Sequence, residues 1–335
     1  MSPTETRRFH LEHRPEGRPD HDAFELRTVE VEPDPGEALV RTQYLSVDPY
    51  MRDRMRAGES YSEPWDVGDP LRGGVVGEVV AGGAGVEPGQ TVVGNLPWAE
   101  YAVAAGDDLT PVDTGGLPTS AALSVLGMPG RTAYFGTREV AQPRAGDTVV
   151  VSGAAGAVGS VVGQLAALQG ADVIGVAGSQ EKTNWLTDDL GFDGAIDYEH
   201  ETVPERLDEL APDGIDVYFD NVGGPITDAV FARLNVDARV AVCGQIALYN
   251  DEAVPTGPRK LPSLIESRAT VEGFLVRDFA PRFREATEHL AELVAAGDLQ
   301  YRETITEGLA NAPDAFLGLF DGDNIGKQLV KVGEE

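Results

Sequence analysis

Short apolar runs alternate with helical stretches through the middle of the chain, and this alternation is the clearest structural pattern in the sequence. The apolar runs occupy 147–152, 172–177, 194–198, 215–220, 239–243 and 270–276. Candidate helices lie near 159–169, 180–190, 203–211, 225–234 and 261–268. Strands separated by helices of crossover length form a parallel sheet with helices on both faces. The pattern therefore predicts a doubly wound α/β domain.

The regions on either side have a different pattern. Residues 25–128 carry short apolar runs between glycine and proline clusters, which is typical of strands and turns, and no long helical period begins before about residue 120. Residues 281–296 place Phe283, Ala286, Leu290 and Leu293 on one face and predict an amphipathic helix. The tail 299–335 returns to strand and turn patterns.

These patterns divide the chain into three segments. We expect a mostly β domain over 1–128 and a doubly wound domain over 129–277. Residues 278–335 are expected to return to the first domain. A chain of 335 residues is long enough for about two such domains.

The charge is strongly negative, with 56 acidic against 26 basic residues and a net charge of −30. Such a field repels phosphate backbones and anionic lipids, so it disfavours a nucleic-acid or membrane partner. Only four lysines occur, and an acidic, lysine-poor chain is typical of proteins from a salt-loaded cytoplasm, although an ordinary acidic protein is the alternative. No apolar run follows the N-terminal residues, which predicts a cytoplasmic protein. The single cysteine, Cys243, excludes an intramolecular disulfide and a multi-cysteine metal site.

A glycine-rich turn joins the first apolar run to the first candidate helix. It reads Gly153-Ala154-Ala155-Gly156-Ala157-Val158-Gly159, with alanine at 154 where the usual G-x-G-x-x-G pattern has its first glycine. Small residues let the backbone approach a pyrophosphate, whose charge the free N–H groups of a helix start then face. Because the turn lies between a strand and a helix, it predicts a dinucleotide site; a purely structural turn is the alternative.

The end of the second apolar run indicates which dinucleotide binds. NAD sites place an acidic residue there to accept from the ribose 2′-hydroxyl, whereas this chain has Gly178 and Ser179, followed by Lys182. A 2′-phosphate needs a cation and space, and a hydrogen bond to a charged group contributes about 1.5–3 kcal/mol. The sequence therefore predicts NADPH over NADH, unless Lys182 is an ordinary solvated helix residue.

Five sequence blocks, in order, resemble one branch of the medium-chain dehydrogenase/reductase superfamily. They are Leu45–Arg52, Gly127–Gly136, Ala154–Gln164, Asp220–Gly224 and Gly322–Lys327. The branch contains prostaglandin reductases (including leukotriene B4 12-hydroxydehydrogenase), plant alkenal double-bond reductases and bacterial curcumin reductase. The resemblance implies a GroES-like catalytic domain, a Rossmann domain, a homodimer and zinc-free, NADPH-dependent reduction of α,β-unsaturated carbonyl compounds. Gly73 and Gly74 stand where zinc-dependent relatives carry a Gly-His-Glu ligand motif, and the five histidines form no ligand cluster.

The resemblance also assigns roles to particular residues. Lys182 and Tyr198 would bind the 2′-phosphate, Asn221 the nicotinamide-side ribose, and Phe274 and Asn324 the nicotinamide end; core packing is the alternative for Tyr198, Cys243 and Phe274. The full predicted cofactor set is Ala155, Gly156, Ala157, Val158, Gly159, Ser179, Lys182, Tyr198, Asn221, Cys243, Gly244, Tyr249, Phe274 and Asn324.

Reduction of a conjugated double bond needs a donor to the carbonyl oxygen, where negative charge develops. The Tyr-Asn pair after Cys243 resembles the family motif whose tyrosine lies over the nicotinamide, so Tyr249 is the candidate oxyanion donor and proton source; Tyr50 is the second candidate. A small enal or enone is the expected substrate. A quinone oxidoreductase and a non-catalytic dinucleotide-binding protein are the alternatives.

Overall fold

The computed structural model describes residues 2–58, 60–83, 85–253 and 255–333. The strands in these residues are β1 Thr4–Leu11, β2 Phe24–Val31, β3 Glu37–Ser46, β4 Arg72–Ala81, β5 Thr91–Pro97, β6 Tyr101–Ala105, β7 Thr110–Pro111, β8 Thr148–Ser152, β9 Asp172–Ala177, β10 Gly194–Asp197, β11 Ile215–Asp220, β12 Leu234–Val242, β13 Thr270–Gly273, β14 Glu303–Glu307 and β15 Lys327–Lys331. The α-helices are α1 Met51–Arg54, α2 Met128–Phe135, α3 Gly159–Ala167, α4 Gln180–Asn184, α5 Val203–Leu210, α6 Gly224–Phe231, α7 Leu261–Ser267, α8 Phe283–Ala296 and α9 Ala312–Gly318.

The middle of the chain forms a parallel sheet in the order β10-β9-β8-β11-β12-β13. Every apolar run predicted as a strand contributes to it. Neighbouring residues of a strand point to opposite faces, so Phe219 and Tyr218 of β11 belong to two different hydrophobic clusters. Both faces are buried because helices cover both sides of the sheet. The predicted doubly wound α/β fold is confirmed. Strand order reverses between β8 and β11, and ligands of such sheets bind at that point, beyond the carboxyl ends of the strands.

The N-terminal region forms a mostly antiparallel sheet, in the order β14-β15-β3-β4-β5-β7, with β6 also paired to β3. Two strands of this sheet, β14 and β15, come from the last part of the chain, and Leu329 of β15 pairs with Ser46 of β3. The aromatic rings of Phe24, Trp98 and Phe316 meet in the core of this region. The predicted mostly β domain is present, while the boundaries at 128 and 277 stay predictions.

The observed helices differ from the predicted ones in several places; α2, for example, was not predicted. The predicted helix over 180–190 is α4 followed by a wider, π-type turn over Trp185–Asp189. The tail, predicted as strand and turn alone, also contains α9, whose seven residues are too few to show a helical period. Pro313 lies in its first turn and Phe316 is buried beneath it, so packing rather than a long pattern forms this helix.

The predicted amphipathic helix, α8, packs Ala286 and Leu290 into the core and ends at Gly297, whose φ is +80°. Glycine adopts this left-handed conformation at no steric cost, which ends the helix. In the part of the chain that the structure describes, no helix is both long and apolar enough to cross a membrane.

Candidate functional site

A cavity of about 1030 Å³ opens at the carboxyl edge of the parallel sheet and reaches the antiparallel sheet. Residues that directly follow all six parallel strands contribute to its wall, as the strand-order reversal predicts. The predicted site residues that line it are Tyr50, Ala155, Gly156, Ala157, Val158, Gly159, Lys182, Tyr198, Asn221, Cys243, Gly244, Tyr249, Phe274 and Asn324. Ser179 is the one predicted residue outside this lining.

The turn between β8 and α3 is compact because its glycines permit close backbone approaches. Gly153 has a φ of +58°, and the Gly156 N–H donates to the Gly153 carbonyl at 3.0 Å. A Cβ at Gly159 would lie 2.4 Å from that same carbonyl oxygen, so a side chain there would force the helix away from the turn. The turn thus presents backbone, without side chains at 153 and 156, to the cavity.

The tail of the chain closes over this turn. The Gly326 N–H donates to the Ala155 carbonyl at 2.8 Å, and Asn324 donates from its side-chain nitrogen to the Gly326 carbonyl at 2.7 Å. Residues more than 160 positions apart in sequence therefore form one wall. The hydrogen bond from the Asn324 side chain orders the loop before β15, and this places Asn324 in that wall.

Lys182 and Tyr198 both line the cavity, and they follow the neighbouring strands β9 and β10. A Cβ at Gly178 would lie 2.7 Å from the Tyr198 hydroxyl, so glycine at this position makes room for the phenol. The Lys182 ammonium donates to the Gly322 carbonyl. Burial lowers the pKa of this lysine, although the negative charges of Asp323 and Glu181 act in the opposite direction. Ser179 caps α4 instead of facing the cavity: its hydroxyl accepts from the Lys182 N–H at 3.3 Å.

A buried carboxylate, Asp220, organises the middle of the site. It accepts hydrogen bonds from the side chains of Ser152, Tyr218, Thr227 and Gln245 and from the N–H groups of Val222 and Gly223, at 2.7–3.0 Å. Its backbone carbonyl also accepts from the N–H groups of Cys243 and Gly244. One residue therefore ties the loop after β8 to the loops after β11 and β12. Asn221 is fixed beside it, donating from its side chain to the Ser152 carbonyl at 2.8 Å.

Three phenols, those of Tyr50, Tyr61 and Tyr249, line the cavity. The part of the cavity around them is called the reacting end below. The Tyr249 hydroxyl accepts from the Gln245 N–H at 3.2 Å, which leaves its own proton free to be donated. Burial raises the pKa of Tyr249, and burial also raises the pKa values of Tyr50 and Tyr61. All three are therefore protonated hydrogen-bond donors near neutral pH.

Cys243 and Phe274 also line the cavity, where they directly follow β12 and β13. Burial, together with the charge of Asp220, raises the pKa of the Cys243 thiol to about 12, so the group is not a thiolate nucleophile. The Phe274 ring meets Phe219 edge-on, with centroids 6.1 Å apart. A Cβ at Gly136 would lie 2.6 Å from Phe274, so the backbone directly after α2 packs closely against this ring.

A buried ion pair lies at the floor of the cavity. Lys327 donates to Asp48 at 2.9 Å and to the Val47 carbonyl at 2.7 Å, and the Ser46 hydroxyl donates to the other oxygen of Asp48 at 2.5 Å. Both charged side chains are almost fully buried, yet the residues border the cavity. The pair joins the end of β3, just before Tyr50, to the tail strand β15.

Sequence reasoning missed five of these residues: Asp48, Tyr61, Asp220, Gln245 and Lys327. Asp220 and Lys327 stand inside sequence blocks that carry the family resemblance, and that is the signal that could have found them. Tyr61 lies in a loop without periodicity, and its role in the cavity wall depends on the approach of Arg277, which donates to the Tyr61 carbonyl at 2.7 Å.

The arrangement fits a dinucleotide that carries a 2′-phosphate. A turn with bare backbone at 153 and 156 suits a pyrophosphate, and the ammonium of Lys182 with the phenol of Tyr198 suits a second phosphate at the far end of the same cavity. Within the described ranges, no group of three or more His, Cys, Asp or Glu side chains could hold a metal ion.

Comparisons with known proteins agree with this geometry. A family model described as the N-terminal domain of oxidoreductase matches residues 7–112, and one described as zinc-binding dehydrogenase matches residues 157–292. YfmJ of Bacillus subtilis, whose name describes an NADP-dependent oxidoreductase, is 51% identical over 328 residues, with 97% of each chain covered. NADPH-dependent curcumin reductase of Escherichia coli is 42% identical, covering 97% of this chain and 96% of its own.

Two further relatives extend the comparison. The NADP-dependent 2-alkenal reductase of Nicotiana tabacum is 41% identical, with 95% of each chain covered. The crystal structure of CurA from Vibrio vulnificus in complex with NADPH has a TM-score of 0.93 and 41% identity, covering 98% of this chain and 100% of the other.

Proposed function

Because this chain belongs to the NADP-dependent branch of the medium-chain dehydrogenase/reductase superfamily, we propose that it reduces the C=C bond of α,β-unsaturated aldehydes and ketones. The cofactor is NADPH, in agreement with the relatives and with the NADPH complex of a similar structure. One observation carries the proposal: the residues suited to the dinucleotide and the phenols suited to a carbonyl oxygen line a single cavity.

Residues at both ends of the cavity would hold NADPH. Lys182 and Tyr198 would bind the 2′-phosphate, the turn around Gly156 the pyrophosphate, and Asn221, Phe274 and Asn324 the nicotinamide end. When bound, NADPH supplies the hydride that adds to the β-carbon of the substrate. Ser179 would contribute indirectly, because it caps the helix that carries Lys182.

The chain's own chemistry concerns the substrate oxygen. As the β-carbon receives the hydride, the electrons of the C=C bond move toward the carbonyl and charge develops on its oxygen. A neutral phenol can donate to that oxygen, and Tyr249 is suited to this because Gln245 already occupies one of its lone pairs. Tyr50 is a second donor. A proton then reaches the α-carbon, from a tyrosine or from water, which completes the saturated product.

A substrate panel tests this function. We expect NADPH oxidation to match, mole for mole, the saturated carbonyl formed from an aliphatic enone or enal, detected by mass spectrometry. Activity should survive dialysis against a chelator, since we propose a zinc-independent reaction. Reduction of quinones without any turnover of enones would contradict the proposal and favour a quinone oxidoreductase; NADPH binding with no turnover of either class would favour a non-catalytic protein.

The role of Tyr249 has its own test. Tyr249→Phe should lower kcat at least tenfold, since a single oxyanion donor contributes about 10²–10³ in rate where it acts. NADPH affinity, measured by fluorescence titration, should change little. Tyr301→Phe is the matched control, because this phenol lies outside the cavity lining. A Tyr249→Phe enzyme with kcat within about twofold of the parent would rule out the catalytic role.

We also propose that the chain forms a homodimer through the β13 edge of the parallel sheet. In the described sheet β13 is terminal, and an unpaired edge offers its backbone N–H and C=O groups to a second strand. Beside it, α7 exposes 74% of Leu261 and 80% of Ile265. Light scattering should give twice the chain mass of 35.6 kDa, and Ile265→Asp should shift the mass toward the monomer. The cytoplasmic location and the salt-rich habitat stay predictions.

A further inference from the structure

An arginine from the antiparallel-sheet region reaches across to the loop that carries Tyr249. Arg56 follows α1, and its Nη2 donates to the Tyr249 carbonyl at 2.6 Å and to the Asp251 carbonyl at 2.7 Å. Tyr249 follows β12 of the parallel sheet. The contact therefore links two regions that are nearly 200 residues apart in sequence. Arg56 itself is absent from the cavity lining.

The carbonyls that Arg56 binds lie at the end of a short 3₁₀ turn. Ile246–Leu248 form this turn, and the N–H groups of Tyr249 and Asp251 donate back to the carbonyls of Ile246 and Leu248. Carbonyls at the end of a helical turn have no partner within it and favour a cation. Both bonds come from a single guanidinium nitrogen, Nη2, whose two N–H groups each serve one of these oxygens.

Both ends of this contact are held in place. On one side, the Arg14 Nη1 donates to the Arg56 carbonyl at 2.8 Å, and Arg14 also contacts Asp66 at 3.3 Å. On the other side, the Tyr249 hydroxyl accepts from the Gln245 N–H, and the Gln245 side chain donates to buried Asp220 at 2.8 Å. The phenol is thus fixed from the parallel sheet, and its backbone is fixed from the opposite region.

We propose that Arg56 is a positioning residue for Tyr249, supplied from the other side of the cleft. The proposal rests on the function proposed above, because it concerns the placement of the oxyanion donor. By binding the carbonyls at 249 and 251, Arg56 sets the height of the phenol over the substrate oxygen. Tyr249 is correctly placed only while the two regions are in contact, so its activity depends on a closed cleft.

A double-mutant cycle tests this coupling. Arg56→Ala should lower kcat about tenfold in the parent enzyme but less than twofold in the Tyr249→Phe background, because no hydroxyl is left to position. The dissociation constant for NADPH, from fluorescence titration, should change less than twofold. Arg233→Ala is the control, since Arg233 also binds a backbone carbonyl, that of Ala229 at 2.9 Å, but remote from the cavity; its kcat should match the parent.

Chemical rescue and a conservative variant provide further readouts. Millimolar methylguanidinium should restore kcat several-fold in Arg56→Ala and not in the double variant. Arg56→Lys, which keeps the charge and protects against loss of folding, should give an intermediate kcat. Equal losses of kcat in the two tyrosine backgrounds would overturn this inference alone. A Tyr249→Phe enzyme with full activity would overturn the oxyanion role and, with it, this inference.

Discussion

The two ends of the cavity are built in opposite ways. At the phosphate end, a contiguous turn over 153–159 presents backbone to the cavity, although Gly326 of the tail contacts this turn and Lys182 and Tyr198 add side chains from beyond β9 and β10. At the reacting end, the residues come from stretches around 46–61, 220–251 and 322–327, and their side chains rather than their backbone groups supply the hydrogen-bond donors. A site made of adjacent backbone depends on local conformation, whereas a site made of distant side chains depends on how two sheets are held together.

The largest effect is expected at the reacting end, from the buried ion pair beneath it. Lys327→Met would leave the Asp48 carboxylate buried without its cation, and breaking such a pair costs about 3–5 kcal/mol. Urea unfolding should show this loss. Lys331→Met, on the same strand but with a half-buried side chain, should stay within about 1 kcal/mol of the parent. Similar stabilities for the two variants would show that the reacting end does not depend on this pair.

At the phosphate end, substitutions at different positions of the turn should affect stability and NADPH binding to different extents. Gly159→Ala places a Cβ 2.4 Å from the Gly153 oxygen, so we expect a loss of about 1–3 kcal/mol in stability together with weaker NADPH binding. At Gly156 the nearest atom would be 3.1 Å away, so Gly156→Ala should chiefly weaken binding. Thermal unfolding and fluorescence titration measure the two effects. Normal NADPH affinity in Gly159→Ala would contradict the tight-turn interpretation.

Lys182 connects the two ends, because its ammonium also reaches the Gly322 carbonyl of the tail. Lys182→Ala should raise the KM for NADPH about 10- to 100-fold, since a hydrogen bond to a charged group contributes about 1.5–3 kcal/mol. The KM for NADH should change less than twofold. Lys260→Ala provides a control on the same rare residue type. Equal effects on the two cofactors would assign Lys182 to the loop rather than to the 2′-phosphate.

The difference between the two ends also explains what the sequence could predict. The strands of the parallel sheet and the turn around Gly156 follow from alternation and spacing within short windows, whereas the strand order came from the structure. The residues predicted at the phosphate end line the cavity, with the exception of Ser179, which caps α4, and their contacts with the cofactor stay predictions. Serine suits both an N-cap and a ligand contact, so the residue type alone does not distinguish the two.

The missed residues share a physical reason. Tyr61, Gln245 and Arg56 act through partners that lie on other elements, so no spacing along the chain indicates their contacts. Lys327 and Asp48 meet only because β15 pairs with β3. Asp220 stands at the end of a predicted strand, but its hydrogen-bond donors lie on four segments of the chain. A pattern within one short window of sequence cannot indicate donors on the other segments. Tyr50 and Tyr249 were nominated through the family resemblance rather than through residue patterns; both line the cavity, and their catalytic roles stay predictions.

The smallest effect on stability and activity near neutral pH is expected from the Cys243 thiol, which lines the cavity, although its labelling rate should differ strongly from that of the unfolded chain. Because the pKa of Cys243 is raised to about 12, iodoacetamide at pH 8 should label the native protein about a thousandfold more slowly than the unfolded chain, whose thiol has a pKa near 8.5. NADPH should slow labelling further, since Cys243 lines the cavity. The raised pKa also fixes the sign of a pH effect: its contribution to stability is complete below about pH 8.5 and is lost as the pH rises toward 12. Rapid labelling of the native protein at pH 8 would instead indicate an open, thiolate-bearing reacting end, and the closed cleft on which Tyr249 and Arg56 depend would have to be abandoned.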